Sequence, residues 1–188
     1  MDTTDPAFVA RVLRGETDAF RYLVERHSRH VFHLAFRMTG NAQDAEDVVQ
    51  ETFMRAFRHL KRYESRSLFS TWLYRIAANC AVDLMRTQRH FREQNRSNPG
   101  HDWLSEVTSR DPSADQLAFS GQVRNSIQSA MEELTPQERT AFVLRHYEGL
   151  SVEEISSALG IGLNAAKHSV FRAVRKLRRA LEPLVASV

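Results

Sequence analysis

One stretch of this sequence combines aromatic, amide and guanidinium side chains at helical spacing. In "SLFSTWLYRIAANCAVDLMR", residues 67–86, apolar residues recur every three or four positions, which predicts a helix with one face packed against neighbours. The opposite flank carries groups that bind nucleic acids, because guanidinium groups hold phosphates and an asparagine amide pairs with a base edge. These flank residues are Arg75, Asn79 and Arg86.

A polar loop, residues 63–70, comes directly before this helix and supplies hydroxyl groups together with Arg66. Trp72 lies at the edge of the apolar stripe. A base that leaves a duplex needs a pocket and a planar surface that replaces its lost stacking. The loop and the indole have the chemistry for such a pocket, and core packing of Trp72 is an equal alternative.

The charges are distributed unevenly along the chain, although the net charge is only +3. Residues 44–51 are acidic, residues 55–92 are mainly basic, and residues 167–179 form a second basic run. Two separated basic surfaces indicate a polyanion that is bound at two places. Ordinary solvated helix faces are the alternative for each run taken alone.

Composition excludes several classes of protein. The 188 residues are 42 % hydrophobic, so we expect a folded chain, and a single cysteine excludes an internal disulfide and disfavours a cysteine-rich zinc site. The N-terminus lacks the basic-then-apolar order of a signal peptide. No apolar run approaches the roughly 20 residues that span a bilayer. We therefore expect a soluble cytoplasmic protein without membrane insertion.

Helix caps are frequent and strand signals are rare, which predicts an all-α fold. Thr17 and Asn41 are predicted caps of the second and third helices, and Gly40 ends the second. Residues 92–115 are polar, contain two prolines and lack an apolar stripe, which predicts a linker in which Trp103 has no assigned role. We predict two helical domains, 1–94 and 114–188, joined by the polar linker 95–113.

The C-terminal domain is predicted to contain a helix-turn-helix. Thr135 and Ser151 each begin a capping-box pattern, and Asn164 is the predicted cap of a long last helix. A short helix, a glycine-containing turn and a longer basic helix suit the major groove of DNA. A protein-binding helical hairpin is the alternative. The residues predicted on the outer face of the last helix are His168, Arg172, Arg175 and Arg179.

Three motifs together resemble those of the bacterial extracytoplasmic-function (ECF) sigma factors. They are "DAEDVVQETFMRAFRHLKRY", "FSTWLYRIAANCAVDLMR" and "LTPQERTAFVLRHYEGLSVEEISSALGIGLNAAK". The resemblance implies a protein that binds core RNA polymerase, directs it to specific promoters and helps melt the −10 element. It also implies an N-terminal domain that docks on the polymerase and melts DNA, a C-terminal domain that reads the −35 element, and an anti-sigma factor as a partner.

The resemblance assigns residues to each surface. Contact with a coiled coil in the largest polymerase subunit falls on Asp47, Gln50, Glu51, Met54 and Phe57. Capture of the −10 strand falls on Arg62, Tyr63, Ser65, Arg66, Ser67, Phe69, Ser70, Trp72, Arg75, Asn79 and Arg86. Contact with the −35 element falls on Asn164, Lys167, His168, Phe171, Arg172, Arg175 and Arg179.

The last helix departs from the family pattern "GTVKSRLxRAR". This chain has "NAAKHSVFRAV", in which Lys167 and Arg172 are kept and a usual arginine is replaced by Ser169. The fold is not threatened by these changes, but no promoter sequence can be borrowed from other members.

Other potential sites receive little support. His27, His30 and His33 rotate around a helix without completing a tetrahedral metal site, and Cys80 falls on the apolar stripe, so we expect no metal and no cofactor. No nucleophile–base pair or phosphate-binding loop emerges, so we expect no enzyme. The remaining alternatives are a stand-alone helix-turn-helix regulator and a recombinase with an appended helix-turn-helix.

Overall fold

The computed structural model describes residues 4–64, 67–94 and 126–185, and every regular element in these ranges is a helix. The predicted all-α fold is confirmed. The predicted linker and Trp103 lie outside the described residues. The α-helices are α1 (Asp5–Leu13), α2 (Phe20–Thr39), α3 (Ala42–His59), α4 (Phe69–Gln94), α5 (described over residues 126–132), α6 (Pro136–His146), α7 (Val152–Leu159) and α8 (Leu163–Val185).

Most predicted helix ends are confirmed. The side chain of Asn41 accepts a hydrogen bond from the backbone N–H of Asp44, and both capping boxes, at Thr135 and Ser151, are complete. Gly40 ends α2 with a φ of 75°, a left-handed conformation that glycine adopts without steric cost.

Two predicted caps are wrong. Thr17 opens a 3₁₀ turn, Thr17–Ala19, and α2 begins after it without a side-chain cap. The last helix begins at Leu163, so Asn164 lies inside its first turn. The backbone N–H of Ala166 already bonds to the carbonyl of Gly162, which leaves Asn164 no capping role.

Helices α1–α4 form an N-terminal unit in which α2, α3 and α4 pack on one another. The inner stripe of α4 is buried among them as predicted. Helix α1 is fixed to α2 by Asp5, which accepts a hydrogen bond from Arg26 at 2.8 Å and lies 2.9 Å from the ring of His27. The fully buried side chains of this unit include Leu23, Leu34, Met38, Leu60 and Leu73.

Helices α6–α8 form the core of the C-terminal unit, in which α8 packs on both α6 and α7. Ile155 of α7 and Ala166 and Ala173 of α8 are fully buried between them. Lys176 of α8 donates to the carboxylate of Glu138 of α6 at 2.7 Å. This ion pair fixes the angle of the basic helix against its support.

The two units pack on each other, because α4 contacts α6 and α7 while α2 contacts α6. Arg139 of α6 is buried, and its Nη1 donates to the Met38 carbonyl in the last turn of α2 at 2.6 Å. The other guanidinium nitrogens donate to the carbonyl of Met131 at 2.6 and 3.0 Å. The predicted two helical domains are therefore in direct contact as well as linked along the chain.

Replacing Glu138 by Gln tests the α6–α8 ion pair. Burial raises the pKa of the Glu138 carboxyl, but hydrogen bonds from Lys176 and from the Thr135 backbone hold that pKa below its ordinary 4.5. The amide keeps an acceptor for the Thr135 N–H and loses the ion pair, so we expect a loss of about 1 kcal/mol in the free energy of unfolding at neutral pH.

The lowered pKa of Glu138 also predicts how its contribution to stability changes with pH. Because the folded-state pKa of Glu138 is lowered, its stabilisation is complete above the ordinary pKa and disappears as the pH falls through the lowered value. Urea unfolding should therefore show a difference between wild type and Glu138→Gln that vanishes in acid. Glu25→Gln is the control, because its pair with Arg21 is exposed. An equal difference at both pH values would contradict the prediction.

Candidate nucleic-acid interface

The outer flank of α4 presents a row of polar side chains. Arg75, Asn79 and Arg86 are all exposed, and their spacing places them on one side of the helix. The opposite side is held in the core by Leu73, Ala77 and other buried residues. The row is thus positioned by a rigid element rather than by a loop, which suits precise hydrogen bonding to a base edge and to phosphates on either side.

An aromatic cluster closes the N-terminal end of this row. The ring centroids of Tyr63, Phe69 and Trp72 lie 5.4–5.6 Å apart. The Tyr63 hydroxyl donates to the carbonyl of Ser67 at 2.7 Å, which fixes the end of the loop against the cluster. Of the three rings, Trp72 alone is half-buried and keeps an accessible part.

Two residues of the predicted strand-capture set do not face solvent. Phe69 is 2 % exposed and Tyr63 is 8 % exposed, because both rings fill the gap between the loop and the helices of the N-terminal unit. In this structure both rings support the loop, and their contact with a melted strand stays a prediction. The core-packing alternative for Trp72 accounts for the buried part of its indole.

The other predicted residues of this set are accessible where they are described. Arg62 and Ser67 are exposed and Ser70 is half-buried, whereas Ser65 and Arg66 lie outside the described residues. Sequence reasoning missed Leu68, which is 74 % exposed beside Ser67. The sequence did hold a signal for this exposure, because Leu68 comes one residue before Phe69, where the buried stripe begins.

The acidic surface on α3 is smaller than its sequence indicates. Asp47, Gln50, Met54 and Phe57 are exposed, and the two apolar members are 41 % and 44 % exposed. Glu51 is half-buried, and its carboxylate accepts from Arg55 at 2.5 Å. Arg55 also bonds to Asp83 of α4 at 3.2 Å, and Gln88 of α4 donates to Asp44 at 2.8 Å. Carboxylates at the edges of the surface therefore hold α3 to α4.

The outer face of α8 is polar and basic as predicted. The whole predicted set is exposed, namely Asn164, Lys167, His168, Phe171, Arg172, Arg175 and Arg179. Phe171 is 63 % exposed, and the guanidinium of Arg175 lies 6.0 Å from its ring centroid. A planar group and several cations at the start of a helix fit contacts to base edges and phosphates in a groove.

Ser169 has a structural role in this chain. It is 5 % exposed, its hydroxyl donates to the Ala165 carbonyl at 2.8 Å, and it accepts from Gln137 of α6 at 2.9 Å. The side chain at this position therefore faces α6. Where the family pattern has an arginine, this chain has a serine that forms a hydrogen bond between α8 and α6.

The remaining candidate groups have structural partners. Cys80 is buried, and burial raises the pKa of its thiol, which keeps it protonated and unreactive. His27 is paired with Asp5. Across the described ranges no group of three or more histidine, cysteine and carboxylate side chains has the proximity to hold a metal ion. None of the described helices is long and apolar enough to cross a membrane.

Two family models match this chain in succession. Residues 23–91 match Sigma-70 region 2, a span that includes most of α2, all of α3 and most of α4. Residues 124–177 match Sigma-70, region 4, a span that includes α6, α7 and α8 as far as residue 177. The matched segments carry the exposed surfaces of α3, α4 and α8, apart from Arg179, which lies two residues beyond the second match.

Several proteins that are similar to this chain are named as sigma factors. The ECF RNA polymerase sigma factor SigE of Mycolicibacterium smegmatis is 35 % identical over 83 % of this chain, which spans 59 % of that relative's length. The ECF RNA polymerase sigma factor SigW of Bacillus subtilis is 30 % identical over 94 % of this chain and 96 % of its own. The sigma factor RpoE of Bartonella quintana, solved with the anti-sigma factor NepR, shares the fold with a TM-score of 0.67 at 21 % identity, over 87 % of this chain and 96 % of that one.

Replacing Arg172 by Ala tests the outer face of α8. We expect binding to duplex DNA, selected from a random pool by the wild type, to weaken by about 1–3 kcal/mol if Arg172 reads a base. A smaller loss, with a salt slope reduced by about one, identifies a phosphate partner. Arg21→Ala is the control, since Arg21 is an exposed arginine on α2 and lies outside the predicted DNA-binding face of α8. Equal binding of wild type and Arg172→Ala at every salt concentration would refute the assignment.

Proposed function

This chain belongs to the ECF sigma factors and directs RNA polymerase to promoters, and we propose that its three exposed surfaces divide that task. In this proposal α3 docks on the polymerase, α4 and its preceding loop capture the melted −10 strand, and α8 reads the −35 duplex. The observation that carries the proposal is the exposed row Arg75–Asn79–Arg86 on a helix whose other face is core.

The α3 surface fits a basic protein partner better than DNA. Asp47 is exposed and repels phosphates, while Met54 and Phe57 beside it offer apolar area for a protein contact. The Phe57 ring is held by an edge contact with Phe20 at 5.1 Å, so it is presented in a defined orientation. We assign this surface to the coiled coil of the largest polymerase subunit.

The α4 row fits a base that has left the duplex. The amide of Asn79 provides a paired donor and acceptor, and arginines one turn before and two turns after it can hold the flanking phosphates. Trp72, half-buried at the N-terminal end of the row, offers the accessible part of its ring for stacking. Strand capture of this kind shifts a melting equilibrium without any covalent step.

The proposal assigns the chemistry of RNA synthesis to the polymerase and none to this chain. The domain assignment is 1–94 for docking and −10 capture and 114–188 for −35 recognition, with residues 95–113 as the linker. We place the protein in the cytoplasm, where a bacterial polymerase works. A stand-alone helix-turn-helix regulator leaves the α3 surface and the α4 row without a role.

We also propose an anti-sigma factor as a partner. The Bartonella quintana sigma factor RpoE, whose fold this chain shares, was solved in complex with one. Such a partner would act by covering at least one of the three surfaces.

Replacing Asp47 by Lys tests the docking surface. The exposed carboxylate becomes a cation that faces a basic partner, so we expect binding to core polymerase to weaken about tenfold or more. Helical content in circular dichroism should not change, because the side chain is exposed. Glu25→Lys makes the same charge change at an exposed position on α2, and it should leave the affinity for core polymerase unchanged. Full affinity of Asp47→Lys would remove α3 from the proposal.

Replacing Asn79 by Ala tests base capture. We expect promoter opening to lose roughly 1–3 kcal/mol, while binding to closed upstream duplex is unchanged, because the base contact exists only after melting. Permanganate footprinting should show this loss on duplex templates, and binding to a template with a pre-melted bubble should weaken as well, because the captured base still lacks its partner.

Arg75→Ala is the matched comparison on the same row. Its proposed partner is a phosphate, so low salt should partly restore opening by this variant and should not restore opening by Asn79→Ala. If Asn79→Ala opens duplex promoter as well as the wild type does, Asn79 is a helix-surface residue without a role in capture.

A further inference from the structure

The outer side of α2 carries three basic side chains that the proposed function does not use, and we call them the α2 stripe: Arg29, His30 and His33. Arg29 and His30 come four and three residues before His33, so the three share one side of the helix, and all are exposed. Within the described part of the chain, none of the three forms an ion pair or a side-chain hydrogen bond. These groups are therefore available to a ligand.

The α2 stripe lies in a region of positive charge. Partial burial lowers the pKa of His33, and the neighbouring charges of Arg37, Arg29 and His30 lower it further. Residues 26–37 contain no aspartate or glutamate that could balance these charges from the same helix. An anion bound here would be attracted by several side chains at once.

The carboxylates that contact α2 on either side of the stripe are already engaged. Asp5 of α1 accepts from Arg26 at 2.8 Å and lies 2.9 Å from the ring of His27. Glu148, between α6 and α7, lies 3.4 Å from Nη1 of Arg37. The stripe between these pairs keeps its own charge for an anionic partner.

The α2 stripe begins close to the start of α4. The ring centroids of His27 and Phe69 are 5.4 Å apart, and Phe69 is the first residue of α4. Arg29 follows His27 by two residues. The stripe is therefore near the end of α4 at which the aromatic cluster and the proposed base-capture surface lie.

A second contact relates the stripe to the exposed row on α4. Glu148 accepts a hydrogen bond from the hydroxyl of Tyr74, the residue before Arg75. Burial raises the pKa of Glu148, and Arg37, Tyr74 and His30 each oppose that rise, which places His30 near the same carboxylate. His30 and Arg75 are thus connected through two side chains, and a strand that is held by the row can pass from one to the other.

Two aromatic rings extend this surface of α2. Phe32 and Phe36 are half-buried, and their rings stack with centroids 6.1 Å apart and planes 16° apart. The ring of His33 lies 6.1 Å from that of Phe32 in an edge arrangement. Proteins bind single-stranded DNA by combining cations for the phosphates with aromatic rings on which bases stack. The stripe and the two rings offer both kinds of group.

A single strand fits this surface better than an acidic protein does. A strand released by melting is continuous, so the phosphates next to a captured base must pass an end of the α4 row. The stripe offers cations beside the N-terminal end of that row, where such phosphates arrive. No second partner is needed to account for its charge.

We propose that the α2 stripe is a second site for single-stranded DNA, in which Arg29, His30 and His33 hold phosphates of the melted strand beyond the base that α4 captures. The inference rests on the proposed capture of the −10 strand by α4 and extends it to another helix. Contacts with phosphates carry no sequence information, so the stripe stabilises the open complex at any promoter that the protein opens.

A series of neutral linkages tests the site on the complex of the full chain with core polymerase. The template carries a pre-melted bubble, so binding does not depend on melting, and one phosphate at a time is replaced by a methylphosphonate. Arg29→Ala should bind the unmodified template about three- to tenfold more weakly, with a salt slope smaller by about 0.7. At one or more positions in the bubble, the neutral linkage should weaken the wild type and cost Arg29→Ala nothing further, because that contact is already lost.

Two variants control for charge and for structure. Arg29→Lys keeps a cation and should retain most of the affinity. Arg21→Ala removes an exposed arginine of the same helix whose charge is balanced by Glu25 at 3.5 Å, and it should bind like the wild type. Linkages that weaken wild type and Arg29→Ala equally at every position of the bubble would overturn the proposal. A loss by Arg29→Ala of affinity for core polymerase alone would also overturn it, because the partner would then be an acidic protein surface.

The pH dependence of binding is an independent readout of His33. A phosphate beside this ring favours its protonated form, so bound DNA should raise the pKa that partial burial and nearby cations lower in the free protein. When the pH falls from about 7.5 to about 6, the affinity for the bubble should rise about threefold more for the wild type than for His33→Gln. Equal pH dependence in both proteins would contradict the proposal.

Asn79→Ala on the same templates separates this inference from the proposed function. If Asn79→Ala weakens binding to the bubble and Arg29→Ala does not, the role of α4 is supported and the α2 site is wrong. If Arg29→Ala is coupled to a phosphate in the bubble and Asn79→Ala has no effect, base capture by Asn79 is wrong and the α2 site is supported.

Discussion

The burial of one face of α4 is the constraint on which the rest of the structure depends. Ala77, Ala78 and Ala81 are fully buried, and such small side chains let neighbouring helices approach closely. Helices α2 and α3 pack on α4 from the N-terminal unit, and α6 and α7 pack on it from the C-terminal unit. One helix therefore supports the core, the contact between units and the exposed row that includes Asn79.

Local signals predicted the elements of this fold well. The caps at Asn41, Thr135 and Ser151 depend on residues three positions away, and a sequence displays such patterns directly. The wrong cap at Asn164 shows the limit of the same reasoning, because a backbone bond to Gly162 begins the helix one residue earlier. The exposed face of α8 was predicted because its buried stripe has a helical period.

The contacts between the units could not be predicted in this way. Glu148 and Arg37 are separated by 111 residues, and neither lies in a pattern that indicates a partner. Arg139 comes directly after a capping motif, and arginine side chains are mostly found at the surface. Here, however, Arg139 is buried against α2. Phe69 was assigned to DNA because it lies in the motif, although its place on the apolar stripe already indicated the core. Tertiary contacts decide each of these cases.

The distribution of charge relates the two units to their different partners. On α3, the charge of Glu51 is partly neutralised because Glu51 pairs with Arg55. Asp47 remains exposed beside the apolar side chain of Met54. On α8, Ser169 is buried, so its exposed neighbours such as His168 and Arg172 are the side chains available for the proposed contact with bases. An acidic surface close to a basic one would repel phosphates and weaken the binding of DNA to the basic surface. Their placement on α3 and α8, which belong to different units, keeps the two kinds of surface apart.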